Sequence, residues 1–306
     1  MKIINGFYTA LITPFLEDGS VDENGLRLLI NKQIESGADG IVLLGTTGET
    51  PTLTEAEKKR ISSIAKEEIG DKIKLVIGTG TYSTKQTIEN TQAAERLGAD
   101  AAIIVTPYYN KPTQEGLYLH YKSIAEATSL PILIYNIAGR TGQNLQTDTL
   151  KLLIQYKNII GVKESSGSIT QISDVIEMAN ECRDDFSVMC GDDALTLPSM
   201  ALGACGVISV IGNIVPEQVK ALVTALQNDD MLEARRLHFD LMPFIRMAFL
   251  ETNPIPIKTA MERLGLPAGS CRSPLCPLSK DNETKLCAIL ESLAELRGQL
   301  TRIDLC

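Results

Sequence analysis

Residues 40–77, GIVLLGTTGETPTLTEAEKKRISSIAKEEIGDKIKLVI, contain a complete strand–helix–strand unit and decide the class of fold. The apolar run Gly40–Leu44 is continuous rather than alternating, which is typical of a strand buried on both faces of a parallel sheet. Thr54 can cap a helix over Glu55–Ile69. The next apolar run then begins at Lys74–Ile77.

The same unit recurs along the chain, because further apolar runs alternate with amphipathic helical stretches. The runs are Phe7–Ile12, Gly40–Leu44, Lys74–Ile77, Ala102–Val105, Ile132–Tyr135, Ile159–Val162, Phe186–Met189 and Val207–Val210. Such units, joined by right-handed crossovers, close naturally into an α/β fold of the (β/α)8 TIM barrel type, which we therefore predict. A doubly wound open sheet is the alternative that the pattern leaves open.

The strand pattern stops near residue 230 and the rest of the chain is helical in character. The helical stretches are Met231–Leu250, Ile257–Leu264 and Asn282–Leu300. They are interrupted at Asn253–Pro256 and by a loop at Pro267–Pro277. We therefore expect a barrel over residues 1–230 and a C-terminal helical region over residues 231–306.

The composition of the chain indicates which classes of partner it can bind and in which compartment it is expected. The formal net charge of the 306-residue chain is −9, so its overall field repels phosphates and disfavours nucleic acids and anionic membranes as partners. No apolar run approaches the roughly 18 residues of a membrane span, and Met1–Gly6 lacks the apolar core of an export signal. The seven cysteines are then expected to be buried thiols rather than disulfides. We expect a cytoplasmic protein.

Histidine and cysteine usage argues against a metal centre. The two histidines, His120 and His238, do not stand at strand ends, so neither suits a triad or a metal site of the barrel. Cys271 and Cys276 lie close together, but no second Cys/His pair stands nearby to complete a zinc site. We therefore predict neither a metal ion nor a bound cofactor.

The sixth apolar run leads into Lys163, within Ile159–Ser166. A lysine that closes an apolar strand is partly removed from water, which disfavours its charged form and leaves free amine to attack a carbonyl. The resulting protonated imine is an electron sink that turns the adjacent carbon into a nucleophile. Taken in isolation, a lysine at a strand end more often extends to solvent, and only the neighbouring strand ends favour the imine. Lys74, which starts a strand, and Lys258, in the C-terminal helices, fit this chemistry less well.

Other strand ends supply an anion cradle and phenol groups, and active sites of barrels lie at these ends. Gly45–Glu49 offers two threonine hydroxyls and backbone N–H groups to a carboxylate or phosphate. Tyr108 and Tyr109 follow the fourth run, Tyr135 ends the fifth, and the guanidinium of Arg140 can hold a carboxylate at two points. The alternatives are a plain glycine turn, phenol rings packed in an interface and a solvated arginine. Because Lys163 ends a strand of the same barrel, we favour an active site over these alternatives.

The last two runs end in small residues. Gly191–Asp193 follows the seventh run, and Gly206–Ser209 covers the eighth. Their small side chains and backbone groups would line the pocket. We expect Asp193 to cap the helix that follows it.

At these residues the chain resembles the dihydrodipicolinate synthase family, within the N-acetylneuraminate lyase superfamily of Schiff-base TIM barrels. The resemblance runs almost from end to end. It includes Gly45–Glu49, Thr106–Pro112, Tyr135–Gly142, Gly161–Glu164, Gly191–Asp193, Gly206–Ser209 and Asn253–Lys258. It implies that pyruvate forms an imine with Lys163 and that the enamine adds to aspartate 4-semialdehyde. The product would be 4-hydroxy-tetrahydrodipicolinate, on the route to diaminopimelate and lysine.

The resemblance also implies how protons move. Tyr135 would be the general acid/base near the imine. Thr46 would link Tyr135 to Tyr109 in a proton relay, with Tyr109 supplied by a neighbouring subunit. The family precedent therefore implies a homo-oligomer, a tetramer built as a dimer of dimers.

Substrate binding is assigned in the same way. Thr46 and Thr47 would bind the pyruvate carboxylate, and Gly191 and Ile208 would contribute backbone contacts. Arg140 would hold the carboxylate of the semialdehyde. Sialic acid lyases of the superfamily generally lack an arginine at the matching place.

Several positions depart from the family pattern. Ala138 stands where the family usually has proline, in the loop that carries Arg140. Lysine-inhibited members have an asparagine and a glutamate where this chain has Tyr82 and Gln86, and some have histidines matching Glu55 and Lys58. The resemblance therefore does not predict feedback inhibition by lysine.

Two other functions remain open from the sequence. One is a different pyruvate aldolase of the superfamily, acting on N-acetylneuraminate or a 2-keto-3-deoxy sugar acid, which would share Lys163 and Tyr135 without needing Arg140. The other is a non-catalytic barrel that binds a keto acid, which a missing key residue would favour. None of the key residues is missing.

Overall fold

The computed structural model describes residues 3–297, and its parallel strands form a closed barrel. The strands are β1 (Gly6–Ala10), β2 (Gly40–Leu43), β3 (Lys74–Gly78), β4 (Ala101–Val105), β5 (Ile132–Asn136), β6 (Ile159–Glu164), β7 (Ser187–Cys190) and β8 (Gly206–Ser209). They pair in sequence order, and β8 pairs with β1, Gly206 opposite Gly6. The predicted TIM barrel is therefore confirmed, and the open sheet is excluded.

Helices follow the strands around the barrel. They are α1 (Glu23–Glu35), α2 (Glu55–Ile69), α3 (Thr84–Leu97), α4 (Gln114–Ala127), α5 (Ala138–Thr141), α6 (Thr147–Leu153), α7 (Ile169–Cys182), α8 (Thr196–Ala201), α9 (Pro216–Gln227), α10 (Met231–Ala248), α11 (Ile255–Arg263) and α12 (Lys280–Arg297). The cap predicted at Thr54 is present as a capping box, because its side chain accepts from the backbone N–H of Glu57 and the Glu57 carboxylate accepts from the backbone N–H of Thr54. Local sequence signals thus set where helices begin.

The barrel has two apolar layers. The inner layer fills the barrel with side chains such as Tyr8, Val42 and Met189, and also includes Tyr135 and Ile208 near its carboxyl-terminal end. The outer layer lies between strands and helices. Successive side chains of a strand alternate between these layers. Every second residue of a strand therefore points into the barrel, and the residues between point toward the helices.

The C-terminal helices begin and end within a few residues of the predicted stretches. Helix α10 packs against α9, and α12 contacts α10 and α11. The division between residues 230 and 231 falls between α9 and α10 and stays a prediction. Residues 1–2 of the expected N-terminal segment and 298–306, with the end of the predicted stretch Asn282–Leu300, lie outside the described residues.

A buried ion pair ties the C-terminal helices to the barrel. Lys258 on α11 donates from Nζ to Oε1 of Glu49 at 2.8 Å, and both side chains are almost fully buried. The same ammonium also donates to the carbonyl oxygens of Thr13 and Ser270 and lies 4.2 Å from the centroid of the Phe15 ring. The three protons of the ammonium thus each have an oxygen acceptor. Burial lowers the pKa of Lys258.

The cysteine prediction is only partly right. Cys190 is buried and Cys205 and Cys271 are partly buried, and none of these three is disulfide-bonded. The free thiols of Cys182 and Cys276 are exposed, because the first ends α7 and the second lies in the loop before α12. Cys287 is disulfide-bonded, contrary to the expectation.

No helix in residues 3–297 is both long and apolar enough to cross a bilayer.

We predict that Lys258→Met destabilises the fold by about 3–5 kcal/mol, because it leaves the Glu49 carboxylate buried without a counter-charge. Urea denaturation followed by circular dichroism would measure the free energy of unfolding. The matched control is Lys85→Met, whose side chain is 89% exposed and which should change that free energy by less than about 0.5 kcal/mol. Equal losses in the two variants would contradict the prediction.

Candidate active site

Lys163 lies inside the barrel and not at its surface. It is the penultimate residue of β6, its exposed fraction is 6%, and its strand partner is Tyr135 on β5. The Lys163 Nζ lies 4.3 Å from the centroid of the Tyr135 ring. The structure therefore brings together the amine and one of the phenols that the sequence singled out.

The turn after β2 is held in an unusual backbone conformation. Leu44 and Glu49, on either side of Gly45–Gly48, have positive φ values of 54° and 53°. Non-glycine residues adopt this conformation at a cost, and surrounding contacts must hold it. The Thr13 hydroxyl donates to the carbonyl oxygen of Gly48 at 2.8 Å, and the Glu49 carboxylate is bound by Lys258. The turn is thus fixed from its buried side.

The two threonines of this turn differ in their surroundings. Thr47 is 2% exposed, and its hydroxyl accepts a hydrogen bond from Nδ2 of Asn253 at 2.9 Å. Thr46 is partly buried, and its hydroxyl forms no hydrogen bond within the described part of the chain. The Thr46 hydroxyl can therefore form hydrogen bonds with a ligand or with a group of a partner subunit.

Arg140 lies on the short helix α5, where Gly142 follows with a φ of 68° and ends the helix. Its Nη2 donates to the backbone carbonyl of Asn253 at 3.1 Å, which uses one of its N–H groups and leaves the side chain exposed. Asn253 thus contacts both Arg140 and Thr47. The sequence marked Asn253 as part of a family motif and helix break but assigned it no role in the site.

Tyr109 does not join this group within one chain. Its side chain is 92% exposed and its φ is 71°, so the loop after β4 holds it away from its own barrel. Tyr108 is instead partly buried with its ring edge-on to Tyr82, at 5.5 Å between centroids. Burial raises the pKa of Tyr108. One chain therefore presents Tyr109 outward.

Gly191 and Ile208 lie where β7 and β8 end. The Gly191 N–H donates to the carbonyl oxygen of Glu164 at 2.9 Å. A Cβ added at Gly191 would come within 2.6 Å of Lys163 Cε, so only glycine leaves room for the lysine side chain. Ile208 is 1% exposed and belongs to the inner layer of the barrel.

The prediction that Asp193 caps the following helix is wrong. Asp192 caps the short 3-10 helix Asp193–Leu195 that precedes α8, since its side chain accepts from the N–H of Ala194, and α8 itself has no side-chain cap. The carboxylate of Asp193 is buried and accepts from the N–H of Val210 at 2.9 Å, so it joins the loops after β7 and β8. Burial raises the pKa of Asp193. Two adjacent aspartates looked equivalent in the sequence, and only packing separates them.

A buried polar cluster supports the reactive strand from the side away from the pocket. Glu164, next to Lys163, accepts hydrogen bonds from Nδ2 of Asn136 at 3.0 Å and Nε2 of Gln171 at 3.1 Å. The backbone N–H of Ser166 also donates to it at 2.7 Å. These bonds fix the end of β6 relative to β5 and so the direction of Lys163.

The histidines lie away from the strand ends, as expected. His120 is buried in α4, where its Nδ1 lies 2.9 Å from the hydroxyl oxygen of Thr84. Burial lowers the pKa of His120 to about 4 and also lowers that of His238. Within residues 3–297, no group of three or more His, Cys, Asp or Glu side chains is arranged to hold a metal ion.

The positions that depart from the lysine-inhibited pattern lie on the outside of the barrel. Tyr82 is 57% exposed, and Gln86 is exposed and bonded to Asn90 at 2.9 Å. Glu55 and Lys58 form an ion pair with each other at 2.8 Å. Gln86 is thus bonded within α3, and Glu55 and Lys58 are paired within α2.

Comparison with known proteins gives one consistent result. The model of the dihydrodipicolinate synthetase family matches residues 3–293. A 4-hydroxy-tetrahydrodipicolinate synthase of Protochlamydia amoebophila is 56% identical over 292 residues, which cover 95% of this chain and 97% of that protein.

Solved structures agree with the sequence comparison. The 4-hydroxy-tetrahydrodipicolinate synthase of Methylacidiphilum fumariolicum SolV superposes with a TM-score of 0.92 at 44% identity, over 97% of this chain and 100% of that one. A structure described as the first monomeric dihydrodipicolinate synthase variant also has a TM-score of 0.92, at 39% identity over 94% and 96% of the two chains.

Proposed function

The chain belongs to the dihydrodipicolinate synthetase family, and from this premise we propose how its own residues catalyse the family reaction. The enzyme condenses pyruvate with aspartate 4-semialdehyde to 4-hydroxy-tetrahydrodipicolinate in diaminopimelate and lysine biosynthesis. Lys163 is the amine that forms the imine. The observation that carries this assignment is the buried Lys163 Nζ, 4.3 Å from the centroid of the Tyr135 ring at the end of the barrel where β5 and β6 terminate.

The first half of the reaction activates pyruvate. Lys163 Nζ attacks the ketone carbon, water leaves, and the protonated imine draws electrons from the adjacent methyl group. Tyr135 is positioned to move protons at the imine, since its ring contacts the lysine and its position opposite Lys163 follows from the strand register. Loss of a methyl proton then gives the enamine nucleophile.

Pyruvate is oriented by its carboxylate at the Thr46–Thr47 turn. The support for this is the rigid backbone of the turn, with its N–H groups and the free hydroxyl of Thr46 at the mouth of the barrel. Gly191 lies beside the lysine side chain, and Gly191 and Ile208 contribute backbone contacts to pyruvate. Fixing the carboxylate sets the ketone carbon against the amine, which is the positioning that speeds such an addition.

Arg140 holds the carboxylate of the semialdehyde. Its guanidinium is exposed at the mouth and uses one N–H on Asn253, so further donors remain for a carboxylate. After the enamine bonds to the aldehyde carbon, the amine of the semialdehyde displaces Lys163 from the former ketone carbon. That step closes the ring and frees the lysine. No other cofactor is needed, because the imine itself is the electron sink.

The working unit is a homo-oligomer, a tetramer built as a dimer of dimers, in which Tyr109 of one subunit enters the site of the next. The outward position of Tyr109 and the free hydroxyl of Thr46 support this relay. Family membership alone does not decide it, since one similar solved structure is described as a monomeric variant.

Arg140 favours this reaction over the other candidates. A lyase for sialic acid or deoxy sugar acids would need no cation at this place. A keto-acid sensor would need no phenol beside a buried amine. Both alternatives are tested by the substrates on which the protein acts.

We predict that borohydride reduction in the presence of pyruvate adds the mass of one reduced pyruvate to Lys163. Peptide mapping by mass spectrometry would locate the addition. Lys258 is the internal control, because its amine is buried and fully hydrogen-bonded. Absence of label, or label on any other lysine, would refute the assignment of Lys163.

We predict that Arg140→Ala retains borohydride trapping but lowers kcat/KM for the semialdehyde by about 100-fold or more, since a charge-assisted two-point contact is lost. Steady-state kinetics with pyruvate and the semialdehyde varied in turn would measure this. The control is Arg60→Ala, whose side chain is paired with Glu23 on the surface. Loss of trapping in Arg140→Ala would mean that the arginine is structural.

We predict that two inactive variants, Tyr109→Phe and Lys163→Ala, recover activity when their subunits are mixed. A mixed dimer contains one site with an intact Lys163 and a Tyr109 supplied by the other subunit. Activity after unfolding and refolding the two variants together, compared with each refolded alone, is the measurement. If the mixture stays as inactive as its parents, Tyr109 does not act across subunits.

A further inference from the structure

The hydroxyl of Ser165 is a buried polar group that the steps above do not use. Ser165 follows Lys163 by two residues at the end of β6, so both side chains lie on the face of the strand that meets the pocket. Its Oγ is enclosed by the protein and has no hydrogen-bond partner. An enclosed hydroxyl without a partner has lost its water contacts and gained nothing in return.

The position of this hydroxyl is defined by Gly191. The point where a Cβ of residue 191 would lie is 1.8 Å from Ser165 Oγ and 2.6 Å from Lys163 Cε. The serine oxygen and the carbon that carries the reactive amine therefore border the same small space. Because residue 191 is glycine, the serine hydroxyl and the lysine side chain can occupy the room that a side chain at 191 would take. An unpaired hydroxyl thus lies beside the side chain that carries the reactive nitrogen, on the β7 side.

Neighbouring serines show that local structure does not explain Ser165. The side chain of Ser168 accepts from the N–H of Gln171 and caps α7. The side chain of Ser166 accepts from the N–H of Ser168. Ser165 is the serine in this loop whose hydroxyl serves neither a cap nor a turn.

We propose that Ser165 is a further catalytic residue that donates a hydrogen bond to the oxygen of the pyruvate ketone as Lys163 adds to it. The inference rests on the proposed function of Lys163. The oxygen in question is bonded to the carbon that Nζ attacks, and Nζ is bonded to Cε, which lies with Ser165 Oγ beside Gly191. Tyr135 contacts the lysine from the β5 side, and Ser165 acts from the β7 side.

The step balances without another reactant. The Nζ lone pair forms the bond to the ketone carbon, and the carbon–oxygen π electrons move onto the oxygen, which takes a proton to give the carbinolamine. The carbon–oxygen bond then breaks, and the oxygen leaves as water with a second proton. Ser165 remains a hydroxyl throughout and stabilises the charge that develops on the oxygen.

The test follows the oxygen itself. Pyruvate labelled with ¹⁸O at the ketone loses its label to water each time the imine forms and is hydrolysed. Enzyme-dependent exchange, measured by mass spectrometry without any semialdehyde, therefore reports the carbinolamine steps alone. We expect Ser165→Ala to slow the exchange about 10- to 100-fold. Ser165→Thr, which keeps the hydroxyl, should exchange at a rate close to that of the unaltered enzyme.

Two further measurements separate chemistry from damage to the fold. Ser166→Ala is the matched control, since it removes a neighbouring hydroxyl and should exchange normally. In a single turnover, preformed imine of Ser165→Ala should react with the semialdehyde at the unaltered rate. Normal exchange in Ser165→Ala, or equal slowing of both steps, would overturn the role of Ser165. If the unaltered enzyme neither exchanges label nor is trapped by borohydride, the imine on Lys163 itself is wrong.

Discussion

The ion pair between Lys258 and Glu49 is the contact on which the site depends most. It joins the C-terminal helix α11 to the turn after β2, and its ammonium also binds the carbonyl oxygen of Thr13 after β1. Without that charge, the Glu49 carboxylate would be buried and unpaired, and the left-handed backbone of the turn would lose its main support. The helices after the barrel are therefore part of the active site's foundation.

A second lysine, Lys258, is buried like Lys163, but the two amines have different surroundings. Both amines lie inside the protein and over an aromatic ring, but Lys258 also donates to three oxygens. An ammonium held by a carboxylate and two carbonyls has no free electron pair to offer a ketone. Asn253 extends the same foundation, because it contacts Thr47 with its side chain and Arg140 with its carbonyl oxygen. The contacts that hold the turn after β2 and Arg140 thus meet in the segment 253–258.

Closure of the barrel brings the turn after β2, Lys163 and Arg140 to the same end of the molecule. Turns that lie far apart in the chain end at one rim, because all strands run parallel and the last pairs with the first. Parity along β6 then places Lys163 and Ser165 toward the pocket and Glu164 toward the polar cluster beside it. A shift of one residue in this strand would exchange these roles.

The sequence by itself determined the alternation that closes into the barrel and the bounds of the helix Glu55–Ile69, and it singled out the polar side chains that stand at the strand ends. Continuous apolar runs, capping residues such as Thr54 and the lysine closing the sixth run are local signals, and local physics is enough to interpret them. Only the tertiary structure decided which of Asp192 and Asp193 caps a helix, that Lys258 pairs with Glu49, and that Ser165 and Asn253 border the pocket. These facts join residues distant in the chain or depend on burial, and no periodicity of a single segment encodes such distances.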